Sequence, residues 1–208
     1  HIGVGGRLPE NGGYRGRFTL VDLRCFHPLS GQEQMLLGEG ENMVQMPTLA
    51  VTTDQVISAA ARLSEKIGHT LRLRFLTPTR IVADGRLLHR PHFRPLFGRL
   101  VDRVEGLARE YGRCEGVDVK AALAAAEDVM LVEDHTAWVD LASHSSRAGR
   151  SLPAGGFVGQ ATYSAPNWEL LLPWLLWSTL VHVGKNAVKG EGMIALEGGT
   201  TVNRGKGD

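Results

Sequence analysis

The sequence predicts an α+β fold in which one antiparallel sheet of four strands carries two helices on one face. From position 69 onward, apolar residues recur first with the period of a strand and then with that of a helix. Glycine and proline residues separate these segments, which follow the order strand, helix, strand, strand, helix, strand. This order is the split βαβ, ferredoxin-like (RRM-like) arrangement.

The residues before that module divide into a loop, a strand and a hairpin partner. Residues 1–17 are rich in glycine and predict a loop, and alternating apolar residues predict a strand over 17–26. Met35-Leu36-Leu37 predicts the hairpin partner, with a linker after it. Residues 53–67 then predict a leading helix that Gly68 ends. We therefore place a boundary between residues 1–48 and residues 49–208.

The elements of the second unit follow from residue patterns in chain order. In the first strand, Leu71, Leu73 and Phe75 face one side of the sheet, and Arg72 and Arg74 face the other. The spacing predicts a strand over 69–77 ended by Pro78, a helix over 96–111, a short helix or turn over 121–126, a strand over 129–141, a polar connection over 143–153 and a strand over 158–164.

The last helix is apolar on almost every side, which indicates burial. Asn167 is a suitable N-cap, and the apolar run ends near Val183. Pro173 predicts either a kink or a helix that begins close to it. Three tryptophans at helical spacing are expected in the core: Trp168, Trp174 and Trp177.

Composition limits the classes of function that fit. The chain has 208 residues and a formal net charge of +1, so nucleic-acid binding would need local clusters of cations. Cys25 and Cys114 lie far apart without metal-ligand spacing, which favours a reducing, cytoplasmic location. The apolar run at 170–183 is shorter than the roughly 20 residues that span a bilayer. Because the chain begins at His1 inside a glycine-rich loop, we expect it to be a fragment of a longer protein.

The segment after the last helix is the strongest candidate for a ligand site. It contains three glycines and two lysines, a composition that can bring N–H and ammonium groups to a phosphate: Gly184, Lys185, Lys189, Gly190 and Gly192. Gly184-Lys185 lacks the upstream glycine of a nucleotide-binding P-loop and Asn186 replaces its Ser or Thr, so the segment is not a P-loop. The alternative is an ordinary glycine turn with solvated lysines.

Three further groups of residues are weaker candidates. Arg147 and Arg150 lie in the polar connection, and their guanidinium groups suit contacts with phosphate. The alternative is that both arginines are simply solvated. Phe157 and Tyr163 carry a hypothesis of base stacking. A second basic group is more compatible with a solvated helix face: Arg86, His89, Arg90, His92, Arg94, Arg99 and Arg103.

An internal repetition suggests that the second module has a partner. His1-Ile2-Gly3 and His182-Val183-Gly184 each open a basic, glycine-rich segment that leads into a predicted strand. If the second copy closes a ferredoxin-like module, residues 1–48 are the carboxy-terminal tail of another. A chance match between two glycine-rich loops is the alternative.

These features together resemble the pre-crRNA-processing endoribonuclease family of the RAMP superfamily of CRISPR-associated RNA-binding proteins. The residues that carry the resemblance lie over 145–197: Ser145-Ser146-Arg147, Gly155-Gly156-Phe157-Val158-Gly159, Leu171-Leu172-Pro173, His182-Val183-Gly184-Lys185 and Gly190-Glu191-Gly192. The strand and helix pattern extends the likeness back to about residue 69.

The resemblance implies binding of CRISPR repeat RNA and its cleavage without a metal or cofactor, leaving a 2′,3′-cyclic phosphate. It also implies association with other CRISPR-associated subunits, or a homodimer, and no membrane. Much of the family places its catalytic histidine in the first module, so no histidine here is assigned. Two alternatives stay open: a non-catalytic RAMP subunit of an effector complex, and an unrelated ferredoxin-like protein that binds a small molecule or a protein.

Overall fold

The structure is a computed structural model that describes residues 2–4, 9, 12–14, 16–112, 118–145, 150–153 and 155–197. The chain divides into two compact units, residues 1–52 and residues 53–208. The division falls four residues after the boundary that the sequence suggests. That residues 1–48 are the tail of a first ferredoxin-like module stays a prediction.

The first unit contains two short antiparallel pairs of strands. β1 (Ile2–Val4) pairs with β2 (Gly16–Phe18), and β3 (Leu23–Phe26) pairs with β4 (Glu33–Leu37). The prediction of one strand over 17–26 is wrong, because residues 19–22 separate β2 from β3. The hairpin partner over 35–37 is confirmed as part of β4.

Buried His27 stabilises the hairpin of β3 and β4 from its connecting turn. The imidazole is 3% exposed; its Nδ1 accepts a hydrogen bond from the N–H of Ser30 at 3.1 Å. Its Nε2 therefore carries the proton and donates to the carbonyl oxygen of Ala50 at 3.2 Å. The ring joins the turn to the chain segment that follows β4, which gives this histidine a structural role.

The second unit begins with α1 (Thr53–Ser64) and contains the predicted sheet. The elements that follow are β5 (Thr70–Thr79), β6 (Ile81–Ala83), β7 (Arg86–Leu88), α2 (Phe93–Tyr111), α3 (Val119–Ala125), β8 (Met130–Val139), β9 (Ala142–Ser145), β10 (Arg150–Pro153), β11 (Gly156–Ser164), α4 (Leu172–Val181) and β12 (Ile194–Glu197).

The order of strands in the main sheet is that of a ferredoxin-like module. The sheet runs β12, β5, β11, β8, and all three of its strand pairings are antiparallel. With α2 between β5 and β8, and α4 between β11 and β12, the chain follows the split βαβ order. The α+β, ferredoxin-like prediction is confirmed.

One face of this sheet forms the core with the helices, as the alternation in β5 predicts. Leu71, Leu73 and Phe75 are at most 2% exposed, whereas Arg72 and Arg74 are exposed on the opposite face. The core also contains residues of α2 and α4, among them Phe97 and Trp174. α4 packs against α1, α2 and β12, which explains why it is apolar on almost every side.

Three local predictions need correction or a choice between alternatives. Pro78 does not end β5, because the strand continues to Thr79 through an irregular stretch where its register with β11 shifts; proline is tolerated at such bulges. Pro173 marks the start of α4, the second of the two predicted alternatives. Asn167 does not cap that helix: its side chain accepts from the N–H of Glu169, in the turn before it.

Two hairpins were not predicted. Residues 143–153 include the pair β9 and β10, not only a polar connection. β6 and β7 form a second hairpin whose turn contains Asp84 (φ 49°) and Gly85 (φ 73°). An Asp-Gly pair with two positive φ angles is the usual two-residue hairpin turn, so its sequence signal was available.

Candidate nucleic-acid interface

The glycine-rich loop, residues 182–193, lies against the end of β5. The N–H of Lys185 donates to the carbonyl oxygen of Arg80 at 2.9 Å, and the N–H of Gly192 donates to that of Pro78 at 3.0 Å. The hydroxyl of Thr77 donates to the carbonyl oxygen of Gly190 at 2.9 Å. The loop is therefore bound to the sheet along its length.

Hydrogen bonds within the loop fix its shape further. The N–H of Val183 donates to the carbonyl oxygen of Gly192 at 2.9 Å and so brings the two ends of the loop together. Between them, residues 187–189 form one 3₁₀ turn, closed by the N–H of Gly190 on the carbonyl oxygen of Ala187 at 3.1 Å. The side-chain amide of Asn186 donates to the Glu191 carboxylate at 3.0 Å.

Two of the three glycines are required by close backbone packing. At Gly184, where φ is 90°, a β-carbon would lie 2.5 Å from the carbonyl oxygen of Arg80. At Gly192, where φ is 74°, it would overlap the carbonyl group of Val183. The N–H groups of Gly190 and Gly192 already donate to protein carbonyls, so a phosphate contact by either of these two would have to replace an existing hydrogen bond.

Lys185 and Lys189 are the cations that the loop presents to solvent. Both side chains are exposed. Within the residues that the structure describes, neither ammonium group forms an ion pair or a hydrogen bond with a protein acceptor. A phosphate approaching the loop would therefore meet two positive charges that no described carboxylate neutralises.

The predicted arginine pair lies mostly outside the described residues. Arg147 falls in the gap at 146–149 and the side chain of Arg150 is not described, although its backbone starts β10 and pairs with Ser145 of β9. Phosphate binding by these arginines stays a prediction.

The second basic group is largely neutralised by protein acceptors. The guanidinium of Arg90 contacts the Asp134 carboxylate at 2.9 Å, and that of Arg99 contacts Asp102 at 2.9 Å. Arg94 pairs with Glu127, and Arg103 donates to the carbonyl oxygen of Val181 at 3.2 Å. The sequence favours a solvated helix face for this group, and the structure adds protein acceptors for four of its arginines.

Asp134, the partner of Arg90, and the nearby Tyr163 both have shifted pKa values. Burial would raise the pKa of Asp134, but hydrogen bonds from Thr136 and Arg90 outweigh it and lower that pKa. Burial, with a smaller effect from the charge of Asp134, raises the pKa of Tyr163. The Tyr163 hydroxyl donates to the carbonyl oxygen of Pro91 at 2.5 Å, so the phenol is a neutral donor in the core.

Base stacking by Phe157 and Tyr163 is contradicted, because both rings are 0% exposed. Phe157 packs edge-on against Phe75, with ring centroids 4.8 Å apart. Both side chains point to the helix-covered face, where alternation along β11 directs them. The predicted burial of Trp168 and Trp174 is confirmed at 3% and 2% exposure, and Trp177 is half-buried against the same core.

A half-buried aromatic that is connected to the loop was given no role by sequence reasoning. The Trp138 ring of β8 lies 4.4 Å from the His89 ring, centroid to centroid, and the guanidinium carbon of Arg80 lies 5.9 Å from its centroid. The carbonyl oxygen of Arg80 accepts from Lys185, which connects this cluster to the loop. No sequence spacing links positions 80, 89 and 138, so only the fold could bring them together.

The exposed face of the main sheet carries a second set of charges, the open-face ladder of Arg72, Arg74, Glu133 and Glu197. Arg72 lies 3.5 Å from Glu197 and 3.9 Å from Glu133, and Arg74 lies 3.2 Å from Glu197. Thr162 also donates to Glu133 at 3.0 Å. Two cations thus face two carboxylates, and the ladder has no net charge.

The described part of the chain offers no candidate for a metal site or for a membrane-spanning helix. Among the described residues, no group of three or more His, Cys, Asp or Glu side chains is placed to hold a metal ion. In the same part of the chain, no helix has the length and apolar character needed to cross a bilayer.

Comparison with known proteins identifies the family. The profile of the CRISPR-associated endoribonuclease Cas6 family matches residues 73–194, more than half of the chain and nearly the whole main sheet with its loop. The chain belongs to the Cas6 family. No curated protein matches it.

Solved structures of other Cas6 proteins resemble the chain at low sequence identity. A Cas6 product complex has a TM-score of 0.46 at 23% identity, covering 66% of this chain and 56% of that one. Thermus thermophilus Cas6 has a TM-score of 0.49 at 20% identity, covering 66% and 57%. A partial Cas6-RT-Cas1–Cas2 complex has a TM-score of 0.54 at 13% identity, covering 79% and 29%, and it supports the fold alone. The chain thus spans a little over half the length of the first two.

Proposed function

We propose that this chain is part of an endoribonuclease that binds CRISPR repeat RNA and cuts it without a metal ion. The observation that carries the proposal is the Cas6 family match over residues 73–194, which includes both the main sheet and most of the glycine-rich loop. The ferredoxin-like order of the sheet and the two exposed lysines of the loop support it.

In this proposal the second unit holds the RNA by its backbone. Lys185 and Lys189 bind phosphate oxygens, and such contacts position a strand without reading its sequence. The loop is bound to β5 by hydrogen bonds, so the lysines project from a fixed base. Residues 1–48 would be the end of a first module that supplies further contacts.

The proposed reaction is an internal transfer at phosphorus. A ribose 2′-oxygen attacks the adjacent phosphate, the bond to the 5′-oxygen of the next nucleotide breaks, and a 2′,3′-cyclic phosphate forms. One group must take the 2′-hydroxyl proton and another must give a proton to the leaving oxygen. Cations near the phosphoryl oxygens stabilise the charge that develops there. We assign the proton transfers to no described residue.

The direct test is cleavage of end-labelled repeat RNA by the protein in EDTA, with the product ends mapped. One cut per repeat with a cyclic phosphate end supports the proposal. The matched control is the same RNA with one 2′-deoxyribose immediately upstream of the cut, which should stay intact because the nucleophile is missing. Cleavage that EDTA abolishes, or that persists in the deoxy control, contradicts the proposed chemistry.

A non-catalytic RNA-binding subunit is the second candidate. Within the described residues, the loop offers cations and structural glycines but no assigned acid and base, which is the arrangement that binding alone requires. One similar structure is a Cas6 within a Cas6-RT-Cas1–Cas2 complex, which favours association with other CRISPR-associated subunits here also. Tight binding without a cut would favour this candidate, and the mass of the purified protein would decide whether it forms a homodimer.

A further inference from the structure

His182 has a backbone conformation that side chains other than glycine rarely adopt. It follows the last residue of α4 with φ 61° and ψ 169°, a region occupied almost only by glycine. Two other described residues with a side chain and a positive φ are Asp84 and Asn186, types that tolerate such angles in turns. A strained histidine persists only where the surroundings hold it, and such residues cluster at binding sites.

A hydrogen bond to the loop fixes which ring nitrogen of His182 is the acceptor. Nδ1 lies 3.1 Å from the carbonyl oxygen of Glu191. Because a carbonyl oxygen can only accept, Nδ1 carries the proton, and the neutral imidazole presents a lone pair at Nε2. Among the described residues, Nε2 has no hydrogen-bond partner, and the side chain is only half-buried.

The position of His182 in the loop determines what could meet this acceptor. The N–H of Val183 donates to the carbonyl oxygen of Gly192, so the chain at His182 lies beside the closing end of the loop. Lys185 follows three residues later, and its N–H is bound to the end of β5. A strand whose phosphates contact the lysines would bring its riboses to the same loop.

We propose that Nε2 of His182 accepts a hydrogen bond from a ribose 2′-hydroxyl, so that this loop distinguishes RNA from DNA. The inference rests on the proposed binding of RNA by the loop. Phosphates contain no donor for a neutral imidazole acceptor, whereas the 2′-hydroxyl is a donor that DNA lacks. The lysines would then supply affinity for either nucleic acid, and His182 would supply the preference for ribose.

The test compares binding of the repeat RNA and of DNA with the same sequence by the wild-type protein and three variants. His182→Gly removes the acceptor and relieves the strain, so its melting temperature should not fall. The affinity of this variant for RNA should drop roughly three- to tenfold, because one hydrogen bond is lost. Its affinity for DNA should be unchanged. Lys185→Ala/Lys189→Ala should weaken the binding of both ligands equally, and Tyr111→Ala, at an exposed position at the end of α2, should change neither.

Each other outcome has a defined meaning. Equal loss of RNA and DNA affinity in His182→Gly, or no loss, overturns the inference and leaves His182 as a tether of the loop. If His182→Gly is less stable than the wild type, His182→Asn replaces it, because asparagine keeps a donor for the Glu191 carbonyl and removes the ring nitrogen. Failure of the wild-type protein to bind RNA overturns the proposed function instead.

Discussion

The glycine-rich loop and the open-face ladder both carry two cations, but their electrostatic states differ. Lys185 and Lys189 are exposed and have no described carboxylate in contact. Arg72 and Arg74 share Glu197, and Arg72 also contacts Glu133. A phosphate binding to the ladder would have to displace ion pairs, whereas one binding to the loop would displace only water. The number of basic residues on a surface is therefore a poorer guide to an RNA site than their existing partners.

The two surfaces differ also in how their shape is maintained. The ladder lies on regular strands, which many residue types could form. The loop depends on positive φ angles and close backbone contacts at Gly184 and Gly192. A loop of this kind is sensitive to substitutions that a sheet surface tolerates, so substitutions can separate the stability of the loop from its charge.

The largest expected effect is on stability, from Gly192→Ala. Its β-carbon would overlap the Val183 carbonyl at a φ of 74°, and we expect the free energy of unfolding to fall by about 3 to 5 kcal/mol. Gly190→Ala is the matched control, since its φ is 90° but no atom lies within 4 Å of the added carbon; it should cost about 1 to 2 kcal/mol. Chemical denaturation measures both, and equal losses would show that overlap at Gly192 is relieved by movement of the loop.

The second-largest expected effect is a loss of RNA affinity in the double variant Lys185→Ala/Lys189→Ala. Removal of two phosphate contacts should weaken binding roughly 10- to 30-fold at 0.1 M salt and reduce the slope of log K against log salt by about 1.4. Arg72→Ala/Arg74→Ala changes the net charge equally and should weaken binding clearly less than the lysine double variant, because those cations are already paired. Equal losses in the two double variants would mean that RNA responds to net charge and that the loop is not a binding site.

The third effect is on stability and its pH dependence, from the ion pair of Arg90 and Asp134, which lies outside both surfaces. Asp134 is 11% exposed and its pKa is lowered from an ordinary value of 3.8 in the folded protein. The stabilisation that ionised Asp134 gives to the folded protein is therefore complete at pH values above its ordinary pKa. It is lost as the pH falls through the lower pKa that Asp134 has in the folded protein. Asp134→Asn should lower the free energy of unfolding by about 1 kcal/mol at pH 7 and reduce the acid dependence of stability.

Asp102→Asn is the control for that comparison, because its pair with Arg99 has side chains that are 47% and 63% exposed. We expect its effect on stability to be close to zero. Unfolding curves between pH 2 and pH 7 test both variants, and RNA affinity should be unchanged in each. A larger effect at Asp102 would contradict the argument that burial gives the Asp134 pair its importance.

Much of the fold could be predicted because single residue patterns determine it. The alternation of Leu71, Arg72 and Leu73 shows which side of β5 is buried, and a helix without a polar face must be covered by its neighbours. Predictions at prolines and short polar segments were less successful. Pro78 lies inside a strand because a register shift accommodates it, and the β9–β10 hairpin lacks strong apolar alternation. Such features depend on the partner strand, which a local pattern does not contain.

The position of the glycine-rich loop was predictable from the sequence, whereas its role as an RNA site stays a prediction. Glycine and lysine at positions 184–192 marked the loop, yet the packing that requires Gly192 is against Val183, which only the folded loop reveals. The grouping of Arg80 with Trp138 joins positions 58 residues apart in the printed sequence. The strain at His182 is a backbone property, and no composition or spacing indicates it.

The smallest expected effect is a gain of RNA affinity when the arginines of the open-face ladder lose a carboxylate partner. Glu197→Gln removes the carboxylate that Arg72 and Arg74 share and leaves the face with a charge of about +1 at these four positions. RNA affinity should rise about threefold at low salt, and the gain should disappear near 1 M salt, where the Debye length is about 3 Å. The same substitution in the Lys185→Ala/Lys189→Ala background should give a similar gain, because the two surfaces act independently. A loss of affinity in Glu197→Gln would instead mean that Glu197 contacts the RNA, and the open face would then belong to the binding surface.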